Sequence, residues 1–159
     1  MATNYWLAGE DAATATKLNG MIPAGVVLIA DGIQGGPQSI PTGSTTTVQW
    51  PVTQTVDSTL VVVTGTNNTT FTIQQAGFWL IDTALRLVAG TVSLELSIKV
   101  NGNRVSASIG TVLASCVRGM RLAVNDVVTI TAIHSTGSNR AVESGAEQTS
   151  HVSITRLGP

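Results

Sequence analysis

The sequence has few charged residues and one cysteine. Of its 159 residues 11% are charged, against about 25% in average soluble proteins, and 8 basic and 9 acidic residues leave a net charge of −1. Because no cluster of basic residues is present to displace counterions from a phosphate backbone, nucleic acid is not an expected partner. The single cysteine, Cys116, excludes an intrachain disulfide, so packing alone must hold the fold.

Long apolar runs and motifs of known chemistry are also missing. The longest apolar run, 24–30, is far shorter than the roughly 20 residues that cross a bilayer. The residues after Met1 lack the basic and apolar regions of an export signal, so we expect no membrane association and synthesis in the cytoplasm. His134 and His151 stand without a second cysteine or an HExxH pattern, so no metal, no other cofactor and no enzymatic activity are predicted.

The residues that are present favour β-strands. Five apolar residues alternate with four polar ones over 92–100, which predicts a strand with one face in a core and the other in water. The dipeptide Asn101-Gly102 follows and favours a type I′ hairpin, with a returning strand at 103–114. Three residues of the first strand are predicted for the core: Leu94, Leu96 and Ile98.

The stretch 78–87 is apolar on both faces. Its first four residues are consecutive apolar ones, from Phe78 to Ile81, although one face of a strand in a single sandwich is normally wet. The second apolar face therefore predicts contact with another subunit. Further strands are expected at 46–51, 59–63, 69–74, 127–133 and 151–157, with Val128 and Ile130 in the core. At least eight strands joined by short turns predict an all-β antiparallel sandwich or jelly roll.

Residues 1–45 differ from residues 46–159, which we take as the folded domain. Three of the five prolines and the Gly-rich stretch 31–36 lie in this first segment, and such residues interrupt regular structure. Only one or two helical turns at 11–18 and a short strand at 26–30 are predicted. We interpret 1–45 as an irregular arm that docks on another protein; the alternative is a leading strand folded onto its own domain. The candidate anchoring residues are Tyr5, Trp6, Leu7, Leu18, Met21 and Ile22.

Several motifs, in order along the chain from Val48 to Leu157, resemble the C1q and tumour-necrosis-factor superfamily. The segment 71–81 is similar to the superfamily pattern of an aromatic residue, a short strand and Ala-Gly before Val-Tyr-Leu-Phe, with Trp79 where Tyr is usual. The segment 122–128 resembles Leu-x-x-Gly-Asp-x-Val. Asn125 replaces the glycine there, which is tolerable because asparagine visits the left-handed region more readily than most residues.

The resemblance implies a homotrimeric antiparallel jelly roll. It places Trp79, Ile81 and Leu85 in the core. It also places four residues of the opposite face at the subunit interface around the threefold axis: Phe78, Leu80, Asp82 and Arg86. A desolvated carboxylate needs a partner, and Arg86, from the same or a neighbouring subunit, is the candidate for Asp82; the alternative is a wet position near one end of the axis.

These features together lead us to expect a non-enzymatic virion structural protein of a bacteriophage, a capsid decoration or head-fibre protein assembled in the host cytoplasm. Its partners would be further copies of itself and the major capsid protein or another virion protein. The alternative is a tail-fibre or receptor-binding tip whose loops recognise a host surface glycan or protein. Scattered carboxylates leave two weaker readings open, calcium at Asp57, Asp82 and Asp126 and a glycosidase with paired acids.

Overall fold

A computed structural model describes residues 25–29, 38–88, 93–143 and 150–159. Every regular element in these ranges is a β-strand, and no helix in them has the length and apolar character to cross a membrane. The strands are β1 (Gly25–Ile29), β2 (Ser39–Ile40), β3 (Thr46–Thr47), β4 (Val52–Thr55), β5 (Val61–Thr64), β6 (Thr70–Ile73), β7 (Gly77–Arg86), β8 (Leu94–Val100), β9 (Asn103–Gly110), β10 (Leu113–Leu122), β11 (Val127–His134), β12 (Arg140–Ala141) and β13 (His151–Gly158).

The strands form two main antiparallel sheets. The first sheet has the order β10-β7-β13-β1-β4, and the second has the order β5-β6-β11-β8-β9 with β3 beside β11. A two-stranded ribbon joins β12 to β2. The chain passes from the second sheet to the first and back several times between β6 and β13, so neither sheet is complete until most of the chain has folded.

The core lies between the two sheets and is formed by alternate residues of their strands, which point inward. Its largest fully buried side chains include Trp50, Phe71 and Trp79, and the indole N–H groups of the two tryptophans have no hydrogen-bond partner in the described part of the chain. All eight residues predicted for the core are fully buried there: Trp79, Ile81, Leu85, Leu94, Leu96, Ile98, Val128 and Ile130.

The structure confirms the predicted turns. Asn101 and Gly102 both have positive φ, 51° and 80°, as a type I′ hairpin requires. Asn125 has φ of 71°, so asparagine does occupy the left-handed position where the resembling motif has glycine. Asn67 and Asn68 form a third turn, with φ of 54° and 59°.

The predicted returning strand at 103–114 is wrong at its far end. β9 stops at Gly110, and β10 begins at Leu113 in the other sheet. The chain reverses so tightly there that a Cβ on Gly110 would overlap the carbonyl oxygen of Leu113. β10 was not predicted, because this crossover separates two strands that the sequence pattern does not divide.

The predicted strand at 46–51 is also too long. β3 covers only Thr46–Thr47, and a separate strand, β4, begins at Val52 in the first sheet. Pro51 lies between them, and a proline removes the backbone N–H that a continuing strand would use. The other predicted strands lie within two residues of those observed.

Two short pieces of the predicted arm lie in sheets. β1 lies in the first sheet between β13 and β4, and β2 pairs with β12, with Ile40 fully buried. For these residues the structure agrees with the alternative of a leading segment folded onto its own domain. The helical turns expected at 11–18 and all six candidate anchoring residues lie outside the described residues, and the division at residue 45 stays a prediction.

Candidate functional site

The outer face of the first sheet carries the residues predicted for the subunit interface. β7 alternates in burial: Trp79 and Ile81 point into the core, whereas Phe78 remains 40% exposed and Leu80 is half-buried on the opposite face. Gly119 of the neighbouring β10 makes room for the Phe78 ring, since a Cβ there would lie 3.2 Å from Cζ of that ring. The sequence therefore places an aromatic ring on the outside of the sandwich beside a residue without a side chain.

Strand β10 adds two more apolar side chains to this outer surface. In the register of β10 with β7, Val117 lies opposite Asp82 and Leu113 lies opposite Arg86; Val117 is 57% exposed and Leu113 is 48% exposed. Neither residue was recognised from the sequence, because its pattern does not predict β10. The sign that could have revealed them is the alternation within 113–117, where Ala114 and Cys116 are buried. We call Phe78, Leu80, Leu113 and Val117 the apolar face.

Asp82 lies within this surface but does not pair with Arg86 inside the subunit. Its Oδ2 is 3.5 Å from Nε2 of His151 on β13, whereas Arg86 Nε is 2.5 Å from Oε2 of Glu143. Four residues along a strand span about 13 Å, too far for an aspartate and an arginine on one strand to meet easily. His151 lies opposite Ala84 and is therefore a diagonal neighbour of Asp82, which is a shorter separation.

Two of the three carboxylates considered for calcium, Asp57 and Asp126, lie in separate hydrogen-bonded turns, and the third, Asp82, lies in β7. Asp57 accepts hydrogen bonds from the hydroxyl and the backbone N–H of Thr59. Both bonds lower the pKa of the Asp57 carboxyl group, and the bond from the hydroxyl has the larger effect. Asp126 accepts from Ala123 N and from Asn101 Nδ2. Over the ranges that the structure describes, no group of three or more metal-ligating side chains converges.

His134 has a structural position. Its side chain is buried at the end of β11, with Nε2 2.8 Å from the carbonyl oxygen of Ile40 and Nδ1 3.2 Å from the hydroxyl of Thr136. These contacts tie β11 to the β2 ribbon. His134 and His151 lie in different surroundings, and nothing brings the two imidazoles to a shared site.

No protein-family model and no curated protein sequence matches the chain. The fold is nevertheless shared with solved structures. Eiger TNF from S. frugiperda has a TM-score of 0.57 and 11% identity, over 86% of this chain and 93% of that one. Murine APRIL has a TM-score of 0.55 and 14% identity, over 86% of this chain and 100% of that one. The chain therefore has the TNF/C1q-like jelly-roll fold predicted from its motifs, and at such identities the likeness concerns the fold alone.

Proposed function

We propose that the protein is a non-enzymatic structural protein that assembles as a homotrimer through the outer face of the first sheet. The observation that carries this proposal is the apolar face. Four large apolar side chains lie on the outer side of the paired strands β7 and β10, where a single domain would normally present polar residues to water. The resemblance to the C1q and tumour-necrosis-factor superfamily, whose members form trimers, favours three copies over two.

The charged residues of this surface are compatible with a subunit interface whose edge is open to solvent. Asp82 and Arg86 each have an oppositely charged or titratable partner within the subunit, His151 and Glu143. Arg86 therefore needs no partner from the neighbouring subunit, and the cost of removing it from water is lower than for an isolated charge. Predicted interface residues Phe78 and Leu80 would supply the apolar contact.

We further propose that the trimer is a bacteriophage virion component, a capsid decoration or head-fibre protein anchored by its N-terminal segment. The support is compositional: few charges and many Thr, Ser, Gly and Val residues in a compact jelly roll. The partner would be the major capsid protein or another virion protein, and the location the virion. Three N-terminal segments on one trimer would bind a threefold site together and gain avidity.

A deletion tests the anchoring role. Removing residues 1–24 leaves every described strand in place, so the trimer should persist while attachment to virions is lost. Attachment is measured by co-sedimentation of the purified protein with particles that lack it, and trimer mass is measured in parallel. If the shortened protein still forms a trimer and still attaches to virions, the jelly roll is the docking element and the anchoring role of the N-terminal segment is rejected. Absence of the protein from purified virions would reject the virion role itself.

The second candidate is a receptor-binding tip that recognises a host surface glycan. The observation that favours it is a polar cavity on the second sheet, on the side of the sandwich opposite the apolar face. That side remains open to solvent when three subunits meet through the first sheet.

A further inference from the structure

The outer face of the second sheet holds two cations directly opposite each other. Lys99 of β8 pairs in register with Arg104 of β9 on one side and with Thr129 of β11 on the other. Like charges at directly opposed positions of an antiparallel pair are destabilising. The pair therefore works against the stability of the fold, and a bound anion would remove the conflict.

Glu95 compensates only one of the two cations. Its Oε1 accepts a hydrogen bond from Arg104 Nη1 at 2.7 Å and another from the Ser97 hydroxyl at 2.9 Å. These bonds join the carboxylate to the guanidinium and leave Oε2 of Glu95 without a hydrogen bond among the described residues. Lys99 likewise has neither an ion pair nor a hydrogen bond within the described ranges.

A cavity of about 290 Å³ lies over these groups. Its floor is formed by two buried hydroxyl residues, Ser97 at 4% and Thr131 at 6% exposure, which pair across β8 and β11. The cavity is lined by Thr45, Glu95, Ser97, Lys99, Gly102, Arg104, Thr131, Ala132 and Ile133. Its volume is just below the roughly 300–1,000 Å³ typical of small-ligand sites.

The cavity continues into an open groove along β9. This groove, of about 640 Å³, shares Glu95 and Arg104 with the cavity and extends past them to Ile109. β9 carries a bulge here, because Ile98 pairs with Ser106 and Lys99 with Arg104, so Val105 has no partner. Bulges are enriched near functional sites, where they redirect side chains. The cavity has room for one charged group of a ligand, and the groove has room for further groups of the same ligand on one side of it.

We propose that this cavity binds the acidic sugar unit of a surface polysaccharide. The sugar carboxylate lies between the Lys99 ammonium group and the remaining N–H groups of Arg104, which provide charge-assisted hydrogen bonds. Ring hydroxyls donate to Oε2 of Glu95 and bond the hydroxyl of Thr131. An acidic sugar satisfies both kinds of group, since it carries one carboxylate and several hydroxyls.

This inference develops the glycan-binding alternative and does not depend on the trimer, whose mass is measured separately. The test titrates the full-length protein with the methyl glycosides of glucuronic, galacturonic and N-acetylneuraminic acid, and with methyl glucoside, which lacks the carboxylate. Binding is followed by the NMR signals of Lys99 Nζ and Arg104 Nε. At least one acidic glycoside should bind at least tenfold more tightly than methyl glucoside and shift both signals.

Two variants and a control locate the site. Lys99→Gln and Arg104→Gln should each weaken the acidic sugar at least tenfold. Arg118→Gln, an exposed arginine on β10, should leave the affinity unchanged. A variant that fails to fold leaves the comparison of charged and uncharged sugars on the natural protein as the deciding measurement.

Three results would overturn the proposal. The first is that none of the three acidic glycosides exceeds methyl glucoside, and the second is that Lys99→Gln and Arg104→Gln bind as tightly as the natural protein. The third is that acetate or an Asp-Asp dipeptide binds as tightly as the best sugar, which would make the cavity a site for carboxylates in general. None of these three results bears on the trimer proposal, because that proposal is tested by the mass of the protein in solution.

Discussion

Replacing Leu80 with aspartate should abolish the trimer while leaving the jelly roll folded. Burying a leucine side chain completely contributes about 1.5–3 kcal/mol. Because Leu80 is half-buried within its own subunit, the contact that remains to be made is about 1 kcal/mol per subunit, or about 3 kcal/mol per trimer. Aspartate loses this contact and adds a carboxylate that must be desolvated without a partner. The trimer association constant should therefore fall by at least about a hundredfold.

The measurement is sedimentation velocity at micromolar concentration, with circular dichroism to follow the fold. The natural protein should sediment at three times the chain mass of 16.4 kDa, and Leu80→Asp at the mass of one chain. Val62→Asp is the matched control, since Val62 is an exposed apolar strand residue on the second sheet, 36% exposed. A natural protein that stays monomeric at micromolar concentration, or a Leu80→Asp variant that trimerises like the control, would refute the interface.

Two further predictions concern the turns. Gly110→Ala should destabilise the protein by at least about 1–3 kcal/mol, the usual cost of overpacking, because the new Cβ would overlap the Leu113 carbonyl oxygen. Gly158→Ala is the control and should leave the urea midpoint nearly unchanged, because its Cβ would meet nothing within 4 Å. Equal midpoints for the two variants would contradict the tight crossover. Thr59→Ala should raise the pKa of Asp57 toward its ordinary value, as measured by NMR titration, because the hydroxyl bond that lowers it is lost. Since the pKa of Asp57 is lower in the folded state, its contribution to stability is present above the unfolded pKa and disappears as pH falls through the folded pKa; an unchanged pKa in the variant would assign the lowering to the backbone bond alone.

The sequence predicted those features that depend on neighbours along the chain. The alternation over 92–100 appears as β8, with its apolar residues in the core, because side chains of a strand point to opposite faces in turn. Asn101, Gly102 and Asn125 adopt positive φ because their turns demand it. The resemblance to the superfamily placed Phe78 and Leu80, half of the apolar face, on the outer side of β7, and the alternating burial of that strand agrees with it.

The tertiary structure decided whatever depends on residues distant along the chain. The other half of the apolar face, Leu113 and Val117, comes from β10, whose place beside β7 is set by a crossover between sheets and not by any local pattern. Asp82 lies near His151, 69 residues away, because sheet register brings diagonal neighbours closer than residues on one strand. The opposition of Lys99 and Arg104, with Glu95 beside them, likewise exists only once β8 and β9 have paired. Local periodicity sets which face a residue occupies, but only the pairing of strands determines which residues share that face.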